Sequence, residues 1–125
     1  MNVLIDSSVW IEYFRGHDDL GKLDFLIENN LIVVNELILA ELIPFLYLKR
    51  QQKLISLMHD IACPPLKVDW NDLTQMQIKC LRNGINNAGI PDLIIAQHAI
   101  QNHLELYSHD KHFMLIAKHM PLVMH

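Results

Sequence analysis

Met1 to Ile11, MNVLIDSSVWI, decides how the rest of the chain is read. Met1 to Ile5 is a short apolar run with β-branched residues, the pattern of a strand covered on both faces. Asp6 ends the run with a carboxylate, and two hydroxyls, Ser7 and Ser8, follow it. In open α/β sheets ligands gather beyond the carboxyl ends of the strands, so an acid there stands where a metal or phosphate would sit. Capping a helix that begins near Val9 accounts for Asp6 equally well. Acids elsewhere in the chain have to decide between the two.

Working outward, Val9 to Phe14 predicts a short helix stopped by Arg15-Gly16. Leu20, Leu23, Leu26 and Ile27 recur at helical spacing up to Asn29-Asn30. Leu31 to Val34 repeats the buried-strand pattern, and Asn35 can cap the helix that follows. That helix, Glu36 to about Tyr47, is apolar almost all round, which predicts burial with a kink near Pro44. Further helices are expected over Lys53 to Ile61, from Asn71 or Asp72 to Gly84, through Leu93, Ala96, Ile100 and Leu104, and over Phe113 to His119. Strands are expected at Leu66 to Val68, Leu104 to Ser108 and Leu122 to Met124. Strands alternating with helices point to a parallel sheet wrapped in helices.

A chain of 125 residues, 51% hydrophobic and 19% charged, suits one domain with a sizeable core. Cys63 and Cys80 lack the spacing of a zinc site, and two cysteines make no disulfide framework, so a reduced, cytoplasmic protein is expected. No secretory signal is evident at the start. The apolar block Leu31 to Leu48 contains Glu36, Glu41 and Pro44; each carboxylate would cost roughly 2.5–3.5 kcal/mol at mid-bilayer, which argues against a membrane span. The net charge of −4 speaks against a nucleic-acid partner unless the excess is local.

Four acids break apolar surroundings: Asp6, Glu41 within ILAELI, Asp92 in IPDLIIA, and Asp110 after ELYS. Without them ten acids remain against ten Lys and Arg, so a divalent metal held by the four would remove most of the electrostatic objection. Charged residues are seldom buried unless paired or metal-bound. Meeting at one sheet edge, the four would repel each other until a cation arrived, and Mg²⁺ or Mn²⁺ suits carboxylate oxygens. Taken singly, Asp92 could serve a helix dipole, Asp110 could be a turn residue, and Glu41 could pair with Arg82 or Arg15.

The segments VLIDSSVWIEYFRG, NELILAEL, IPDLIIAQHA and YSHDKHF together resemble the motif series of PIN-domain ribonucleases, most closely the VapC-type toxins of bacterial toxin-antitoxin pairs. The resemblance covers nearly the whole chain. It implies a three-layer α/β/α PIN-like fold with a central parallel sheet of four to five strands, and a single PIN domain over residues 1–125. It implies Asp6, Glu41, Asp92 and Asp110 as the catalytic, metal-binding set, with Ser8 and Ser108 as supporting hydroxyls; the family commonly has Thr at the latter position. The implied activity is Mg²⁺-dependent endoribonuclease, Mn²⁺ substituting, in which metal-activated water hydrolyses RNA phosphodiester bonds to a 5′ phosphate and a 3′ hydroxyl. The implied partners are RNA, a cognate VapB-type antitoxin and a second copy in a homodimer. A crowded anionic pocket would also attract an antitoxin cation.

Phosphate steering would fall to Arg15 and Lys111, with Lys49, Arg50 and Lys53 as further candidates, although exposed basic residues are commonly just solvated surface. His109 and His112 flank Asp110; a zinc site there lacks a further strong ligand nearby, and added positive charge below roughly pH 6.5 is the better use for them. Two other readings compete: a phosphoacceptor receiver domain built on Asp6, Asp69 and Lys111, and a catalytically idle PIN-like binding module. The receiver reading lacks the acidic pair after the first strand, since Ser7-Ser8 follows Asp6.

Overall fold

β1 (Val3–Ile5) is buried at every position, as expected of a strand with apolar side chains toward both faces. It is the hub of a four-stranded, all-parallel sheet in the order β2-β1-β3-β4, with β2 at Ile32–Val33, β3 at Glu105–Tyr107 and β4 at Val123–Met124. The computed structural model describes residues 2–125, and Met1 of the expected first strand lies outside them. Val3 pairs with Ile32 on one side and with Glu105 on the other, and Ile5 pairs with Tyr107.

Among the described residues seven α-helices complete a three-layer α/β/α arrangement around the sheet. They are α1 (Ser7–Phe14), α2 (Lys22–Glu28), α3 (Glu36–Leu48), α4 (Gln52–His59), α5 (Trp70–Arg82), α6 (Ile90–Gln101) and α7 (Lys111–Ala117). α1, α3 and α4 pack together, as do α5, α6 and α7. Leu4, Ile5, Leu23, Leu26, Ile38, Leu42, Leu46, Leu93, Ile95, Leu106, Phe113 and Ile116 fill the centre. Each such side chain contributes about 1.5–3 kcal/mol by leaving water.

Local chemistry sets most boundaries. Gly16, at φ +89°, ends α1 where the sequence places the stop, and Asn35 caps α3 by accepting from the Ile38 N–H at 2.8 Å. α3 continues through Pro44, and at 13 residues it is about 20 Å long, short of the roughly 30 Å of a bilayer core. Among the described residues no helix is long and apolar enough to cross a membrane. Cys63 and Cys80 are free.

Three expectations are corrected. Leu66 to Val68 forms no strand: the passage from residue 62 to 69 has no regular secondary structure and is held by Val34 N–H to the Ala62 carbonyl and by the Gln97 side chain. Leu20 is not part of α2 but sits in a 3-10 turn, Asp19–Gly21, at φ +52° and 93% exposed. α5 begins at Trp70, because Asp69 rather than Asn71 or Asp72 caps it, accepting from the Asp72 N–H at 3.1 Å.

Candidate metal centre

The sheet order places β1 between β2 and β3, so the chain passes from β1 to one side and then crosses from β2 to the other. The crevice at the carboxyl ends of β1 and β3 is therefore the topological switch point, where α/β proteins collect ligands. Asp6 directly follows β1, and Ser108 and Asp110 follow β3.

Asp6 stands at the N-cap position of α1, yet its side chain caps nothing. Its Oδ2 accepts instead from the hydroxyls of Ser8 and Ser108, each at 2.8 Å. Those hydroxyls accept in turn from the His109 N–H at 3.1 Å and the Asp110 N–H at 3.0 Å. A buried carboxylate is thus fixed by hydroxyls on both sides of the crevice, which leaves its other oxygen outside this network. Helix capping does not explain Asp6.

Asp110 caps α7, Oδ1 accepting from the His112 N–H at 2.9 Å. Asp92 lies in the first turn of α6 behind Pro91 and is half-buried. Burial raises its pKa, and so do the charges of Asp110 and Asp6. Glu41, on the second turn of α3, is also pushed upward, first by desolvation of its carboxyl, then by Asp6 and Asp92, against a hydrogen bond from Ser7 at 3.4 Å. Asp6 and Asp92 thus act on Glu41, and Asp110 and Asp6 on Asp92, while the group close enough to share one ion consists of Asp92, Asp110 and His112. The expectation that Glu41 is buried is corrected: the residue is exposed, with its carboxyl end turned toward the other acids. It pairs with neither Arg82 nor Arg15; Arg15 binds Glu12 at 3.0 Å.

Asp92, Asp110 and His112 fit a divalent cation, since two hard carboxylates and an imidazole nitrogen lie together and no Lys or Arg neutralises them among the ion pairs of the described residues. His112, read from the sequence as a flank of Asp110, lies against a second acid as well. Its Nδ1 lies 3.1 Å from Asp110 Oδ1 and 3.5 Å from Asp92 Oδ2, and the three donor atoms sit within 4.8 Å of one another. The only available signal was its position two residues after Asp110, which reads as a flank until α7 is seen to begin there. Ser7, the Glu41 donor, was also unassigned.

The basic candidates lie less centrally. Arg15 and Lys49 approach the ring of Phe45, at 5.7 and 6.0 Å, and Lys111 is exposed at the start of α7. His109 is exposed, its ring edge-on to Tyr107. Asp69 is occupied in capping α5, which removes the central acid of a receiver-type site.

Fold and site together define an α/β domain with acids grouped beyond the carboxyl ends of its central strands. The chain belongs to the PIN domain family, a family of nucleases: residues 3–119 match the PIN domain. Solved structures share the fold. A chain of VapBC2 from Rickettsia felis bound to a DNA fragment from its promoter is similar at TM-score 0.77 and 18% identity, covering 100% of this chain and 98% of that one. VapBC-1 from nontypeable Haemophilus influenzae gives 0.73 and 20%, with 100% and 97% covered. FitAcB from Neisseria gonorrhoeae gives 0.72 and 20%, with 98% and 96% covered. No curated protein matches the sequence.

Proposed function

We propose that this chain is the toxin of a toxin-antitoxin pair, a Mg²⁺-dependent endoribonuclease in which Mn²⁺ can substitute, acting in the cytoplasm as one PIN domain over residues 1–125. The meeting of Asp92 and Asp110 at the switch point supports the reading most, and Asp6 and Glu41 are assigned to the same centre because Asp6 acts on both Asp92 and Glu41. A bound divalent ion supplies Lewis acidity toward a scissile phosphate and lowers the pKa of water. The residues do the rest. Ser8 and Ser108 hold one oxygen of Asp6 and so fix the direction of the other. Asp92 or Asp110 accepts the proton of the attacking water, and the raised pKa of Asp92 suits it to that task. Arg15 and Lys111 steer phosphate toward the edge.

The family and the toxin-antitoxin neighbours support a VapB-type antitoxin as partner. Cleavage of a generic RNA with Mn²⁺ tests the nuclease. The Asp92→Asn protein should lose activity by about a hundredfold or more, the scale of one general acid-base group. Equal cleavage by the variant would remove Asp92 from the mechanism, and no metal-dependent cleavage by the unaltered chain would leave an idle binding module.

A further inference from the structure

His112 is the second residue of α7, and Asp110 holds its backbone N–H at 2.9 Å. This cap sets the imidazole against the first turn, with Nδ1 facing the carboxylates of both Asp92 and Asp110. The side chain as a whole is one-third exposed, at 32%, but Nδ1 itself is shut away from water. It nevertheless forms no hydrogen bond: two carboxylate oxygens lie within 3.5 Å, and neither is in line with the ring N–H direction. A histidine placed there to pair with an acid would aim at one of them, because the strength of a charge-assisted hydrogen bond depends on alignment.

The separations match a different geometry. An octahedral ion with bonds of about 2.1 Å sets adjacent donors about 3.0 Å apart and opposite donors about 4.2 Å apart. The 3.1 and 3.5 Å spacings of Nδ1 from Asp110 Oδ1 and Asp92 Oδ2 are those of adjacent corners, slightly open. The geometry points to His112 Nδ1 as a nitrogen ligand of the ion that Asp92 and Asp110 hold, and so to His112 as the residue that biases this site toward Mn²⁺ over Mg²⁺. The chemical reason is donor type. Carboxylate and water suit Mg²⁺, whereas an imidazole nitrogen is a ligand that later, softer divalent ions accept more readily. This assignment rests on the metal-dependent reading above but is separable from it.

Pulsed electron paramagnetic resonance of Mn²⁺ bound to the untagged full chain tests it. Nitrogen coupling from a directly bound imidazole is expected, and labelling the chain with ¹⁵N-histidine should shift it. The coupling should vanish in His112→Gln and persist in His109→Gln, whose parent side chain is exposed and outside the cluster. The preference for Mn²⁺ over Mg²⁺, measured by competition titration, should fall by about tenfold or more in His112→Gln, the lower end of what the loss of even an outer-shell partner costs in affinity. Bound Mn²⁺ without nitrogen coupling in the unaltered chain, or coupling that survives in His112→Gln, would overturn the ligand role and leave the carboxylate centre standing. Absence of Mn²⁺ binding to the unaltered chain would overturn both. Should His112→Gln not fold, the ¹⁵N shift in the unaltered chain still decides whether an imidazole is bound.

Discussion

Asp92 and Glu41 are the residues at which the site's electrostatics can be read most directly. Both have pKa values raised by burial of the carboxyl and by neighbouring acids. A carboxyl whose folded pKa exceeds its unfolded value contributes stability that is present below the unfolded pKa, near 4, and lost as pH rises through the folded pKa. At neutral pH without metal, each therefore costs stability. Asp92→Asn and Glu41→Gln are expected to raise the melting temperature measured in chelator at pH 7 and to leave it nearly unchanged at pH 4. The Asp92 effect should be larger, because Glu41 is more exposed and its charge better screened. A lower melting temperature for either variant in chelator would contradict the repulsion. Divalent metal should stabilise the unaltered chain and stabilise Asp92→Asn less.

At the scale of elements, the join between α3 and α6 matters because one carries Glu41 and the other Asp92. Asn35 and His98, both fully buried, make that join: Asn35 Nδ2 lies 3.1 Å from His98 Nδ1. Asn35 Oδ1 is already committed to the Ile38 N–H, so its amide nitrogen donates and the imidazole must accept with a bare Nδ1. Protonated His98 would set two donors against each other. Burial lowers the His98 pKa, opposed by the carbonyls of Pro65 and Pro64. A depressed folded pKa means stability that is complete above the unfolded pKa, about 6.5, and is lost as pH falls through the folded value. The urea midpoint should therefore drop between pH 7.5 and 5 by more in the unaltered chain than in His98→Gln, whose amide can serve Asn35 but cannot titrate in that range. Equal slopes would show that His98 does not couple the two helices to pH. α3 also shows how a helix with few polar positions escapes full burial. Ile38, Leu39, Leu42 and Leu46 face inward, whereas Ala40, Glu41, Pro44, Tyr47 and Leu48 do not.

On the scale of the whole molecule, that outer face of α3 ends in Tyr47, 63% exposed, and Leu48, 80% exposed. These side chains are the place to test the homodimer that the family resemblance implies. Light scattering should give twice the chain mass for the unaltered protein, and Leu48→Glu should shift it toward the monomer without lowering the melting temperature of the monomer itself. A monomer at all concentrations would exclude the dimer.

Much of the architecture is legible in the amino-acid sequence. VLI and the run around Ile32 are apolar on both faces, Gly16 and Asn35 punctuate their helices as local chemistry requires, and the four acids stand out because each interrupts an apolar run. What depends on neighbours in the chain is written in the chain, because periodicity and capping act over a few residues. Leu66 to Val68 shows the limit: its side chains suit a strand, but whether an extended segment joins a sheet depends on a distant edge being free, and here Gln97, 28 residues from Asp69, holds its far end instead. The site itself was decided by tertiary structure. Ser108 reaches Asp6 across 102 residues and Ser7 reaches Glu41 across 34, while Asp92 and His112 face each other from different helices. Sequence determined which groups could bind a cation. Only the tertiary structure decided which of them lie together, because the crossover from β2 to β3 puts the carboxyl ends of β1 and β3, and so Asp6 and Asp110, side by side at the switch point of the sheet.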